Sequence, residues 1–468
     1  MKMKKIFMIF TILILGLSAC ITPKPYSNVT PGDNPKDLNK PLAMQKDNTP
    51  NLYSIPWSGP SGHEFKSLPT LDIFTTINPL AGTLSEPSKI YRDGIADGIN
   101  PLTGLPVKNP DFLNLPPALL VITNWPATAR PQAGLSFTPI VFEWYIGEGM
   151  SRYLALFYGD FPDQNANDNS SGNSGDVTFG PIRSGRLPFE KIRSLYNGFL
   201  IMASAYQGVA QHLSSFANIF GSDQGDINSA MIKFTQLQEI ANNSQKKLGN
   251  ISLSGMVFDS NPPAGGKPAS RLWFMYNILN QIIWNYNEST GFYNRYQYND
   301  DKKTFIEDTD RLNGNDLAYS NIVILFAQHH ACTEMAYDVD LMYLDRQPAI
   351  LFRDGQVYNI LWSTKNEGYE NSTGNVRPIR FTDDKGQPFP FKPGQTWIHV
   401  VPPGNSLWEA APSADVDAMI TDQKEVDSSL LYNWIFRKKQ DSGIWASQYR
   451  ASLMIHDNAV CTEIHTLQ

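Results

Sequence analysis

Two arginines, Arg183 and Arg186, stand three residues apart in "GPIRSGR" (180–186), among two glycines and a proline and directly ahead of a helical pattern. Guanidinium groups present rigid forks of donors that match carboxylate or phosphate, and the free backbone N–H groups of a following helix add to such an anion site. Arg130 and Arg152 complete a four-arginine set. Two uses of it stay open: a pocket for an anionic group, or internal pairing with Glu143, Glu148 or Glu190. Glu143 and Glu148 are also the candidates for a catalytic carboxylate pair of the kind that cleaves glycosides. A nearby arginine would hold a carboxyl pKa down, which works against a general acid. In "QHHACTE" (328–334), His330 and Glu334 have a metal-ligand spacing only if the segment is helical, and it follows a strand pattern. Nucleophile-elbow, Walker and H-E-x-x-H motifs are absent, and "GGK" (265–267) and "SQKK" (244–247) lack the companions that would give them meaning. No catalytic constellation is complete, and nothing points to a cofactor or a metal. The expectation is a non-catalytic binding or scaffolding protein of the cell envelope with an arginine-lined anion site; the alternative is a wall- or glycan-cleaving hydrolase using Glu143 and Glu148.

The envelope assignment comes from the first twenty residues. Lys2, Lys4 and Lys5 precede an apolar run, Ile6 to Leu17, too short to span a bilayer as a mature helix, and it ends in "LSAC". Those small residues before a cysteine resemble the bacterial lipobox. Residues 1–19 are then a signal peptide, and Cys20 becomes a diacylated N-terminus that holds the protein to a membrane. Residues 20–56, rich in Pro, Asn, Asp and Lys, read as a flexible linker. The net charge of −7 disfavours nucleic acid as a partner. Partners are the membrane, through the lipid, and an anionic envelope ligand or a protein. Outside the cytoplasm Cys332 and Cys461, each followed by Thr-Glu, are candidates for a disulfide, with two free thiols as the alternative.

Elements must position these residues. "ALLVIT" (118–123) is an apolar run suited to a strand covered on both faces, and "TPIVFEWYIGEGMSRYLALFYGD" reads as a hairpin around 147–150. A four-residue loop there puts Tyr145 opposite Arg152 and Glu143 diagonal to Arg152 on one face, a pairing that a slip of one residue would part. Pro188 suits the first turn of a helix through Phe189, Ile192 and Leu195. Residues 227–287, notably "RLWFMYNILNQIIWNY", read as mostly helical, and the chain beyond turns to short strands, with Asp354-Gly355 as a hairpin turn. The expected fold is an α+β or α/β N-terminal domain with a mixed sheet (57–287), a β-rich C-terminal domain (288–404) and a C-terminal extension packed on the body (405–468). Trp125, Trp144, Tyr145 and Trp397 read as strand-core aromatics, with sugar stacking as the alternative.

"NPLTGLP" (100–106), "ARPQAGL" (129–135), the Glu143 strand, "SRYLALF" (151–157), "GPIRSGR" and "PGQTWIHVVP" (393–402) together resemble, in this order, the YerB-like bacterial lipoproteins. That family is divided into two parts of unknown function, so the resemblance implies a two-part lipoprotein and brings no activity. Two of the family's histidines are missing: "ASAYQG" (203–208) stands where a His-Gly pair is usual, and "FIED" (305–308), after Tyr293 and Arg295, stands where the family has H-x-D. Acid–base chemistry resting on those histidines would be closed to this chain.

Overall fold

The computed structural model describes residues 90–91, 97–147, 149–159, 177–205, 207–219, 230–248, 251–277, 279–331, 337–403, 406–409, 442–449 and 454–455. Cys20, Glu148, Cys332, Glu334 and Cys461 lie outside them, and with them the lipid anchor, the disulfide and half of each proposed carboxylate or metal pair. The described residues belong to one unit, Gln45–Gln468.

Long runs of β-branched and aromatic residues make the body mainly β, in mixed sheets. The strands that matter for the site are β1 (Ala118–Thr123), β2 (Ile140–Gly147), β3 (Met150–Phe157), β4 (Phe199–Met202) and β5 (Ala217–Ile219). Four more follow the helices α1 (Leu187–Leu195) and α2 (Phe234–Gln245): β6 (Arg271–Asn277), β7 (Asn280–Asn287), β8 (Phe292–Asn299) and β9 (Thr304–Glu307). The remainder are β10 (Asn321–Phe326), β11 (Gln347–Arg353), β12 (Gln356–Ser363), β13 (Thr396–Val401) and β14 (Ile444–Gln448).

The main sheet runs β12-β11-β10-β13-β2-β3-β1-β4-β5. Its centre is parallel where β13 lies between β10 and β2, and antiparallel in the β2–β3 and β1–β3 pairs. The boundary expected at 287/288 falls in the turn between β7 and β8, and this sheet draws strands from both sides of it. A second sheet, β9-β8-β7-β6-β14, takes a strand from the C-terminal extension, since β14 pairs parallel to β6. One face of the main sheet (Val141, Tyr153, Ile322, Trp397) packs on the second sheet (Phe274, Trp284, Tyr293). The opposite face (Phe142, Trp144, Leu154, Ile398) takes Phe189, Ile192 and Leu195 of α1. At the β11–β12 turn Asp354 and Gly355 have φ of 51° and 67°, the mirror-image turn that suits strand twist.

Two expectations are corrected. Among the described residues, helix in 227–287 is confined to α2, with the four residues Gln207–Ala210 lying upstream; "RLWFMYNILNQIIWNY" is the antiparallel β6–β7 hairpin. Both faces of that hairpin are covered, so its apolar run carries no alternation to separate strand from helix. Asn277 makes the turn, its Oδ1 accepting the N–H groups of Leu279 and Asn280, both at 2.8 Å. In the β2–β3 hairpin the loop is shorter than four residues: Gly147 pairs with Met150, and an irregularity at Ile146 shifts the ladder, so Tyr145 faces Ser151 and Trp144 faces Arg152. Glu143 is therefore on the second-sheet face and Arg152 on the α1 face.

Candidate functional site

Glu143 pairs across the main sheet with Tyr153 on one side and His399 on the other. Ser151 Oγ donates to its Oε1 at 2.6 Å, and Trp397 Nε1 donates to Oε2 at 3.0 Å. Its ionic partner is Arg295 of β8, whose Nη2 is 3.4 Å from Oε2. Arg295 also donates to Gln297 Oε1 at 3.1 Å and pairs through Nη1 with Asp308, just beyond β9. Its guanidinium lies 4.7 Å from the Trp397 ring centre, with Tyr153 and Trp284 beside it. Glu143 and His399 are 0% exposed and Arg295 1%, so this is a charged centre enclosed between two sheets.

The protonation states follow from the donors. Burial pushes the Glu143 carboxyl up, against the pull of Arg295, Ser151 and Trp397. Every polar side chain that bonds it is a donor, because Ser151 Oγ already accepts from Asn124 Nδ2 (2.8 Å) and Asn280 Nδ2 (3.2 Å), and this favours the acceptor-only carboxylate. Burial works against the Arg295 charge, but Tyr153, Asp308 and Glu143 hold its pKa above the ordinary value. Burial, then Arg295, holds His399 well below the usual imidazole range, so it is neutral. Trp284 Nε1 can only donate, and it points at His399 Nε2 at 3.0 Å, which puts the imidazole proton on Nδ1. That Nδ1–H faces Glu143 Oε2 at 3.5 Å and the Tyr276 hydroxyl at 3.3 Å, while Phe274 stacks on the ring at 4.2 Å.

The arginine segment lies elsewhere. Residues 181–185 run as an extended strip between the ends of β1 and β4. Thr123 N–H donates to Pro181 O at 3.0 Å, Arg183 N–H to Val121 O at 2.8 Å, Ala203 N–H to Arg183 O at 3.0 Å and Gly185 N–H to Ser204 O at 2.8 Å. Gly185 is required by close approach, since a Cβ there would sit 2.6 Å from Met202 Sδ. Arg152 reaches over from β3 to donate to Ser184 O at 3.0 Å, and Arg186, at the N-cap of α1, donates to Gly185 O at 3.0 Å. No side chain caps the first turn of α1. Arg152 and Arg186 thus meet where the strip that carries Arg183 reaches α1. Arg130 does not join them: its Nε bonds Asn124, whose side chain bonds Ser151 on the Glu143 face.

Of the carboxylates expected to staple these arginines, the two that are described pair with other arginines. Glu143 takes Arg295, and Glu190 takes Arg193 at 2.7 Å. His330 sits in the strand His329–Ala331 and bonds Asp340 at 2.9 Å, not on a helical face. No group of three metal-binding side chains occurs among the described residues. Trp144 and Trp397 are buried, Tyr145 stacks on Tyr449 at 4.5 Å, and Trp125 is half-buried under Arg130. Arg295, Asp308, Tyr276 and His399 belong to this centre without a site signal of their own in the sequence. Three of them lie in segments of marked character, "FYNRYQY", "FIED" and "TWIHVV", but nothing local says that they meet.

Two family models match the chain: "Protein of unknown function (DUF3048) N-terminal domain" over residues 102–252 and its C-terminal counterpart over 274–398. The Bacillus subtilis (strain 168) protein named "Putative lipoprotein YerB" is 26% identical over 319 residues, covering 64% of this chain and 86% of that protein. The crystal structure of YerB protein from Bacillus subtilis superposes with a TM-score of 0.50 at 26% identity, covering 65% of this chain and 96% of that one. The two models bracket the buried centre, Glu143 from the first and Arg295 and Asp308 from the second, with His399 one residue past its end. No described helix is long and apolar enough to cross a membrane.

Proposed function

The chain belongs to the YerB-like DUF3048 family, and we propose that it is a lipid-anchored, non-catalytic binding or scaffolding protein of the cell envelope that accepts an anionic group at Arg152, Arg183 and Arg186. The observation that carries this is the strip 181–186 at the uncapped start of α1. There the bonds of Arg152 and Arg186 to Ser184 and Gly185 go to neutral carbonyls, and Arg186 Nε is out of water with no hydrogen-bond partner among the described residues. Guanidinium donors at a helix N-terminus favour phosphate or carboxylate, and the helix dipole adds to the same sign. Acid–base catalysis by Glu143 is disfavoured by its burial and by the three donors that occupy its oxygens.

The test is thermal unfolding of the protein in inorganic phosphate and in acetate, against a chloride control of equal ionic strength. Phosphate at ten times its dissociation constant should stabilise by about 1.4 kcal/mol. Arg186→Ala should keep the fold and lose that gain. A wild-type protein indifferent to both anions would remove the anion site from the proposal.

A further inference from the structure

Trp125 and Arg130 carry donors for which no described residue supplies an acceptor. The Arg130 guanidinium lies over the Trp125 ring at 4.8 Å, and its Nε is spent on Asn124 O (3.2 Å) and Oδ1 (3.0 Å). Its Nη2 and the Trp125 indole Nε1 are both out of contact with solvent, and neither has a hydrogen-bond partner among the described residues. Buried donors are rarely left unmet, because each has given up its water without replacement. Two of them on one stacked pair point to an oxygen that the described residues do not supply. The pair lies near the surface: Pro126, Thr128 and Pro131 around it are exposed, and Trp125 and Arg130 are themselves half-buried.

Charge decides which oxygen. Asn124 links Arg130 to Ser151 and so to Glu143, and Arg130 also feels the charges of Asp308 and Arg295. Two guanidiniums, Arg130 and Arg295, stand with two carboxylates, Glu143 and Asp308, so the group is already balanced. An incoming carboxylate or phosphate would add an uncompensated negative charge beside Glu143 and Asp308, whereas a neutral oxygen adds none. We infer that Trp125 and Arg130 form a binding position for an uncharged amide carbonyl, of the kind carried by an N-acetyl group or a peptide bond. It goes beyond the anion site proposed for Arg152, Arg183 and Arg186, on the other face of the sheet, and does not depend on it.

The experiment follows the indole N–H signals of the ten tryptophans in 15N-labelled full-length protein, with Trp125 assigned by its loss in Trp125→Phe. N-acetylglucosamine and N-methylacetamide are the two amide probes, and acetate and inorganic phosphate the charged ones. Both amides should move the Trp125 signal saturably, and Arg130→Lys, which keeps the charge and loses the fork, should weaken the response at least tenfold. A tighter response to N-acetylglucosamine assigns the carbonyl to a sugar, and an equal one assigns it to amides in general. A Trp125 signal that ignores both amides, or that answers to acetate or phosphate instead, overturns the inference. Anion-dependent stabilisation through Arg186 would be untouched by that result, so the two proposals fail separately.

Discussion

Glu143→Gln is the sharpest perturbation of the buried centre. The substitution keeps the volume and removes the charge, and the new amide –NH2 must face either Ser151 Oγ–H or the donors Trp397 Nε1 and Arg295 Nη2. Either way a donor meets a donor. Arg295 is left with Asp308 as its counter-ion, in a place where the guanidinium has 1% of its side chain exposed. Removing one partner of a buried ion pair costs about 3 to 5 kcal/mol, and Asp308 keeps the expectation near the lower end, about 3 kcal/mol. Urea unfolding of the wild type and variant should show that loss as a shift in midpoint with unchanged slope. The double variant Glu143→Gln, Arg295→Met should lose less than the two single losses added together, because the second change removes the charge that the first left alone. A single-variant loss under about 1 kcal/mol, or strict additivity in the double, would refute the ionic reading of this centre.

Acid should destabilise the fold through its buried histidines. Burial lowers His329 to about 4, and His399 lies well below its ordinary 6.5. The unfolded chain therefore takes up protons below about pH 6.5 that the folded one refuses, and stability falls as the pH drops from 6.5 towards 4. His329 alone accounts for about 3 kcal/mol over that span, at roughly 1.4 kcal/mol per pH unit. The Glu143 carboxyl, raised by burial, works in the opposite sense, one proton against two. Urea midpoints at pH 7.5 and 5.5 measure the net slope, and His329→Gln should flatten it; an unchanged slope in that variant removes His329 from the account. Cys20→Ala should release the protein from the membrane fraction, and retention there would reject the lipid anchor.

Much of the strand layout was legible because local rules suffice for it. "ALLVIT", "NIVILFA" and "TWIHVV" are short apolar runs bounded by turn signals, and they form β1, β10 and β13. Asp354-Gly355 fixes its hairpin by φ alone, and Pro188 stands in the first turn of α1. The β6–β7 hairpin was illegible for the complementary reason: with Trp273 and Phe274 buried on opposite faces, tertiary cover erases the period on which the reading depends.

The site was harder to read because it depends on one residue of register and on pairings across the whole chain. One irregularity at Ile146 moves Arg152 to the face opposite Glu143, and so cancels the nearest cation that a local reading would offer. The partners that replace it, Arg295 on the second sheet and His399 on a parallel neighbour, are set by how distant strands pair, on which residue spacing is silent. A carboxylate that loses its local arginine still needs compensation once buried, and the fold supplies it from the segment matched by the second family model. In this chain the two matched segments are therefore coupled through Glu143. A body carrying only residues 102–252 would lose Arg295, Trp397 and His399 together with the second sheet that covers Glu143, and should not hold the β2–β3 hairpin in its native register.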